Sequence, residues 1–326
     1  MMKRLLLLLL LCLPLAGCSY DHDPLESMAV TVTDEAIPAP AVADLPVLSE
    51  SATLWFRFGE EPLLAPESRE IGYRQSEGYA RRLLEALVQG PSAASTELEG
   101  LFPPGTQVRS VTKSGRLMFV TLSRHIMNSF ADEPAAWRDQ PRWAVEVPLR
   151  RELAMQSIAA TLTENCDVDA VIILVEQTDP ATDSLRLRNG YYTLDDDTTI
   201  APPLARDESL LLSPIRTAEI LLQCWQESDY ARLYRYVARI DPASGGVRPA
   251  ESDFVQLMTA QPHLLYAQAA GGSVSADGQR ALVSFSGAWL ADGAEQPFEA
   301  LPLTLVREKG VWRIGLTQLT GREAQP

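Results

Sequence analysis

The spacing of apolar positions changes several times along this chain, and each change marks an element. "ATLWFRF", Ala52 to Phe58, alternates and predicts a strand with Leu54, Phe56 and Phe58 on one face. In "SEGYARRLLEALVQGP" the apolar residues Tyr79, Ala80, Leu83, Leu84, Leu87 and Val88 recur as pairs every four positions, the stripe of an amphipathic helix. Ser76 is the candidate N-cap of that helix and Gly90-Pro91 its stop. "TQVRSVTKSGRLMFVTLS" reads as two strands around the turn Lys113-Ser114-Gly115. A second helix is expected from near Pro148, through Leu153, Ile158 and Leu162, to about Asn165. "AVIILVE", Ala170 to Glu176, is apolar throughout, as expected of a central strand covered on both faces. The order is β-α-β-β-α-β, a sheet with two helices against it.

The pattern then changes character. After a polar stretch holding Asp195-Asp196-Asp197, Pro202 and Pro203, three short helices are expected. "SPIRTAEILLQCWQ" has Ser213 as cap and Pro214 in the first turn, and buries Ile215, Ala218, Leu222 and Trp225. "SDYARLYRYVAR" and "SDFVQLMTAQ" each open on a Ser-Asp pair suited to capping. Three tight turns, Asp277-Gly278, Asp292-Gly293 and Lys309-Gly310, then separate four strand-like runs, a four-stranded antiparallel meander. The fold class is α+β. A first domain is expected over residues 51–182, a linker over 183–207 and a second domain over 208–326, in keeping with the two folded units that 326 residues suggest.

The N-terminus is of another kind. Lys3 and Arg4 precede the apolar run that begins at Leu5, which falls short of the ~20 residues of a spanning helix. A charged start, a short greasy core and small closing residues are the anatomy of an export signal, residues 1–17. Its end, Leu15-Ala16-Gly17-Cys18, resembles the bacterial lipobox, which implies a lipid attached to Cys18 and cleavage just before it. The membrane, reached through Cys18, is thus one expected partner and the location is extracytoplasmic. From Ser19 to Glu50 there are seven acids, no Lys or Arg, and Pro24, Pro38, Pro40 and Pro46. Residues 18–50 read as an acidic tether with a reach of ~30 Å.

Charge narrows the partners. The net charge is −15, and loss of Lys3 and Arg4 with the leader takes it to −17, with only three lysines in the whole chain. Nucleic acid needs clustered cations and is excluded as a partner. Cys166 and Cys224 each fall on an expected helix and read as free, buried thiols.

The motifs of the first domain carry a resemblance. The "ALVQGP" helix end, "FPPGTQVRSV", "GRLMFVTLSRHI", and "ELAMQSIAATLTEN" leading into "VDAVIILVEQ" resemble the GerMN domain of bacterial surface lipoproteins, over roughly Ala52 to Gln177. That resemblance implies a sporulation or germination setting. Thr121 stands where the family commonly has an acid, and the segment from Arg124 to Arg142 is long and free of glycine. The second domain, helices followed by a curled meander, is similar in architecture to the cone-shaped nuclear transport factor 2-like fold.

Candidate chemistry is sparse. His22, His125 and His263 form no metal-ligand spacing, and no G-x-S-x-G, Gly-Lys-Ser/Thr or G-x-G-x-x-G is present. Neither a metal, a cofactor nor a catalytic residue is expected, and the chain reads as a non-enzyme. The function expected is a membrane-anchored interaction or assembly module of the cell envelope, with an envelope protein as partner. Phe130 and Trp137, apolar residues in the segment from Arg124 to Arg142, are the candidate contact residues, with Ile126 folding back. The alternative is a second-domain cone that binds a lipid or cell-wall fragment, with weak enzymatic chemistry. Tyr230, Tyr234, Tyr266, Phe285, Trp289 and Trp312 are the aromatic residues available to its mouth.

Overall fold

The computed structural model describes residues 46–177, 184–193, 197–291 and 293–321, while Cys18 with its leader, most of the tether, His22, Asp195 and Asp196 lie outside them. Residues 45–326 form one compact unit. Strand β1 (Leu48–Phe58) turns back into β2 (Leu64–Tyr73), so the end of the expected tether is sheet. The chain continues through α1 (Tyr79–Gln89), β3 (Leu98–Glu99), β4 (Val108–Ser114), β5 (Leu117–Leu122), α2 (Pro141–Asn165) and β6 (Ala170–Val175).

These elements make two sheets and not one. The first has the order β2-β1-β3; in the second β4, β5 and β6 lie side by side, β5 and β6 parallel across the α2 crossover. Polar residues of α2 explain the separation. β1 has β2 along one edge, but on the other β3 meets only Arg57 and Phe58. There Ser157 Oγ donates to Trp55 O (2.7 Å), Trp55 N donates to Thr161 Oγ1 (3.2 Å), and Asn165 clasps Thr53 N and O (2.9 and 2.7 Å). A side chain every fourth residue thus satisfies backbone groups that would otherwise be orphaned in the core. Ser157 and Thr161 are fully buried, and from Leu54 to Phe58 both faces of β1 are covered, with Trp55 and Arg57 buried beside Leu54, Phe56 and Phe58.

Two expected boundaries shift. α2 begins with Pro141 in its first turn and carries Pro148 inside, where the ring removes one helical hydrogen bond, instead of starting there. α1 is preceded by Gly78 at φ 77°, not capped by Ser76, because the left-handed backbone at that joint suits glycine.

The expected linker is largely structured. β7 (Leu185–Arg186) and β8 (Leu204–Ala205) both pair with β6, and α3 (Gly190–Thr193) lies between them, with Tyr191 buried. α4 (Pro214–Gln226) is capped by Ser213 Oγ accepting from Arg216 N, and α5 (Tyr230–Tyr234) by Asp229 accepting from Arg232 N. α6 (Glu251–Thr259) starts one residue before its Ser-Asp pair, which therefore lies in the first turn. β9 (His263–Val274), β10 (Arg280–Ala291), β11 (Ala294–Glu308) and β12 (Val311–Ile314) form the antiparallel meander, closed by α7 (Leu316–Thr320).

The two regions share one hydrophobic core. Leu212 N donates to Leu64 O (2.9 Å), and Phe58 meets Tyr236 edge-on at 5.4 Å. Arg232 grips the buried Glu61 with two hydrogen bonds (2.8 and 2.6 Å), and the buried Arg313 pairs with Glu97. The β11–β12 turn is itself a joint: Lys309 Nζ donates to Ala94 O (3.0 Å), and a Cβ on Gly310 would strike the Pro66 carbonyl.

Candidate functional site

The segment expected to offer a contact patch is folded in. Ile126 is buried as expected, but so are Phe130 and Trp137, at 9% and 6% exposure, so neither is presented to a partner. Trp137 carries the Arg138 guanidinium on its ring at 4.4 Å, and for Phe130 the reason is a ladder of charge. Arg57, buried beneath the β1–β2 turn, donates to Glu61 O (3.0 Å) and Glu60 O (2.8 Å) and pairs with Glu146 on α2. Glu146 also accepts from Arg150 Nε (2.6 Å), and Arg150 in turn holds Asp132 through both terminal nitrogens (2.6 and 2.9 Å). The same guanidinium lies against Phe130 (5.5 Å) and Trp143 (5.4 Å). Arg150 lowers the Asp132 pKa through its hydrogen bond, and although burial works to raise that of Glu146, Arg57 and Arg150 hold it below the ordinary carboxylate value. Sequence reading found the aromatic residues but not the arginines that tie them down.

Among the described residues no other candidate from the sequence gathers into a reactive cluster. Among the described residues there is no group of His, Cys, Asp and Glu placed to hold a metal ion. Asp197 accepts from Thr199 N and Oγ1 (2.8 and 2.6 Å), a local turn. Cys166 and Cys224 are free thiols, pushed up to about 11 and about 12 by burial, the opposite of an activated nucleophile.

The second domain holds a cavity of about 700 Å³ beside β11. Trp225 from α4, Trp289 from β10, and Phe298 and Leu301 from β11 form its apolar side, with Gln261 and Gln296 at the rim. Trp289 stands between Trp225 (5.0 Å) and Phe298 (5.1 Å), and Phe285 backs Phe298 at 5.2 Å. A register shift between Phe285 and Gly287, with Ala300 at φ 50°, reverses which residues of β11 face inward and bends the sheet around this space. Asp241 fixes the opposite wall. It accepts from Thr317 N, Ala243 N and Ser244 N (2.8 to 3.0 Å), and although burial works to raise its pKa these hydrogen bonds bring it down to about 2.

Of the six aromatics named from sequence, only Trp289 lines the cavity. Tyr230, Phe285 and Trp312 are buried core, Tyr234 packs on Phe254 (5.4 Å), and Tyr266 is exposed on the outer face. Trp225 and Phe298 were not expected there, although the pairing of Phe298 with Gly287 follows from the turn that joins β10 to β11.

Comparison with known proteins places the first domain. Residues 55–179 match the family described as Germane, sporulation and spore germination, and the chain is GerMN-like over that segment. No curated protein matches the chain. Among solved structures, the tandem GerMN domains of the sporulation protein GerM from Bacillus subtilis are 17% identical over 49% of this chain and 47% of theirs, at a TM-score of 0.31. A putative lipoprotein from Clostridium perfringens is 18% identical over 49% of this chain and 88% of its own, at 0.27. The first GerMN domain of the same Bacillus subtilis protein is 17% identical over 46% of this chain and 97% of its own, at 0.25. This chain therefore spans about half of the tandem-domain protein.

Proposed function

We propose that this protein is a lipid-anchored, extracytoplasmic assembly module that serves sporulation or spore germination without catalysing a reaction. The family match over residues 55–179 is the observation that carries the reading. Two further features support it. The leader ends in Leu15-Ala16-Gly17-Cys18, followed by an acidic tether, which suits a folded body held off a membrane by a lipid at Cys18. The buried joints between the two regions suit a rigid body that presents one fixed surface. Replacing Cys18 by Ala tests the anchor: the variant is expected in the soluble fraction or as uncleaved precursor. Equal membrane retention with normal cleavage, and no acyl mass on the wild-type N-terminal peptide, would contradict it.

A second reading is favoured by the cavity beside β11, which falls within the 300–1,000 Å³ typical of small-molecule sites. On this reading the second domain handles a ligand while the first supplies the family's role.

A further inference from the structure

We infer that the cavity beside β11 takes the acyl chain of an amphiphile with a neutral or anionic head, an inference that rests on the second reading above. The choice lies between hydrocarbon and sugar, and the wall decides it. A glycan needs an open ring face to stack on and several unpaired donors and acceptors. Here Trp289 has Trp225 on one side and Phe298 stacked on the other, and Phe285 meets Phe298 in turn, so the aromatic cluster is largely packed against itself.

Three of the polar side chains of the lining, Gln318, Thr317 and Gln261, are engaged in the fold, which leaves Gln296 and Arg280 as its main polar contacts. Gln318 receives Thr304 N and donates to Thr304 O (both 2.8 Å), completing the edge of β11 where β12 has ended. The Thr317 hydroxyl is held by Asp241 (3.1 Å), and Gln261 Nε2 reaches Leu257 O (3.5 Å). What remains to meet a guest is chiefly the hydrocarbon of Leu301, Leu319, Pro262 and Pro302, with the aromatic cluster. Such a surface recognises apolar area without direction.

Charge sets the head group. In a chain of net charge −15, the described lining residues include no carboxylate, and Arg280 is their single formal charge. The Asp241 carboxylate behind the wall is already held by Thr317, Ala243 and Ser244, so an anionic head has Arg280 as its counter-charge while a cationic one finds no carboxylate in the lining.

The test uses the full chain on phosphatidylcholine vesicles, with 9,10-dibromostearate as a quencher of tryptophan emission and stearate as its silent control. Saturable quenching is expected, with the quenched fraction reduced in Trp289→Phe. A cavity-filling pair, Ala291→Phe with Leu301→Phe, is expected to keep the melting temperature and weaken the apparent affinity by roughly ten-fold or more. A second arm repeats the titration on Cys18→Ser: greater capacity than wild type would identify the chain's own acyl group as the natural guest, and equal capacity a free lipid. Displacement of the probe by chitotetraose would overturn the acyl assignment and leave the second reading standing. Quenching that is absent, or unchanged in the filled variant, with no response to chitotetraose either, would overturn both.

Discussion

The two regions of this molecule solve the same problem, a sheet that needs a cover, in opposite ways. In the first, α2 lies along the inner half of β1, fills the interior with Leu153, Met155, Ile158 and Leu162, and completes the free strand edge from Thr53 onward with Ser157, Thr161 and Asn165. In the second, α4 covers β9 and its neighbours, but the outer ends of β10 and β11 reach past it, and a bulge curls them around empty volume. A long helix with two kinds of stripe closes a domain; a short one under a long meander leaves a chamber. The first interior is thus filled, and the second leaves room beside β11.

The sharpest way to break this comparison is at the seam. Arg232→Ala strands the Glu61 carboxylate, which is 4% exposed, and is expected to cost about 3–5 kcal/mol in denaturant unfolding. Replacing both partners by apolar residues should cost less, since no buried charge is then left alone.

Truncation of the two interiors measures their difference directly. Leu84→Ala opens a void in the sealed first region, and a loss of about 2–5 kcal/mol is expected. Leu301→Ala trims a side chain that already borders empty space, and should cost under about 1 kcal/mol. Equal losses at the two sites would show that the second interior is as tightly filled as the first.

Asp241 gives the chamber wall a pH signature. Its folded pKa of about 2 lies below the ordinary 3.8, so its stabilisation is full above the unfolded value and fades as pH falls from about 4 through 2. The contribution is about 1–2 kcal/mol, read as the difference in acid unfolding between wild type and Asp241→Asn. A variant whose acid profile matches wild type would remove this anchor from the account.

The smallest effect is at the thiols. Burial raises Cys166 to about 11 and Cys224 to about 12, so neither should alkylate appreciably at pH 8 in native protein. Both should label in denaturant without reductant. Rapid native labelling of Cys224, on the face of α4 that meets the shared core, would show that the seam opens.

Much of this was legible. Turn residues placed the meander, because Asp277-Gly278 and Lys309-Gly310 have few alternatives to a reversal, and Gly278 and Gly310 take φ values of 68° and 87°. Ser213 and Asp229 capped helices where they stood next to apolar stripes. What stayed hidden depends on distant partners. β2 reads "LAPESREIGY", with a proline and four charged or polar residues, and becomes a strand because β1 pairs with it over ten residues. Trp137 and Phe130 were visible as aromatic residues in a long connection. The burial of Phe130 follows from Arg150, which lies 20 positions beyond it, and through Glu146 from Arg57 on β1, while Trp137 is met by the guanidinium of its neighbour Arg138. The Ser157, Thr161 and Asn165 stripe was present at helical spacing but carries meaning only once β1 lies against it. The cavity has no motif, since it is the space that a bulge and a short helix leave between them.

The central claim is that the closed and open regions are one body and not two domains on a linker. A protease site inserted at residues 178–183 tests this most directly, by cleaving the chain under native conditions and following the two pieces. The shared core predicts that they remain associated and melt in a single transition, and that each unfolds once they are separated in denaturant and returned alone to buffer. Two fragments that part spontaneously and melt independently, each with native circular dichroism, would contradict it.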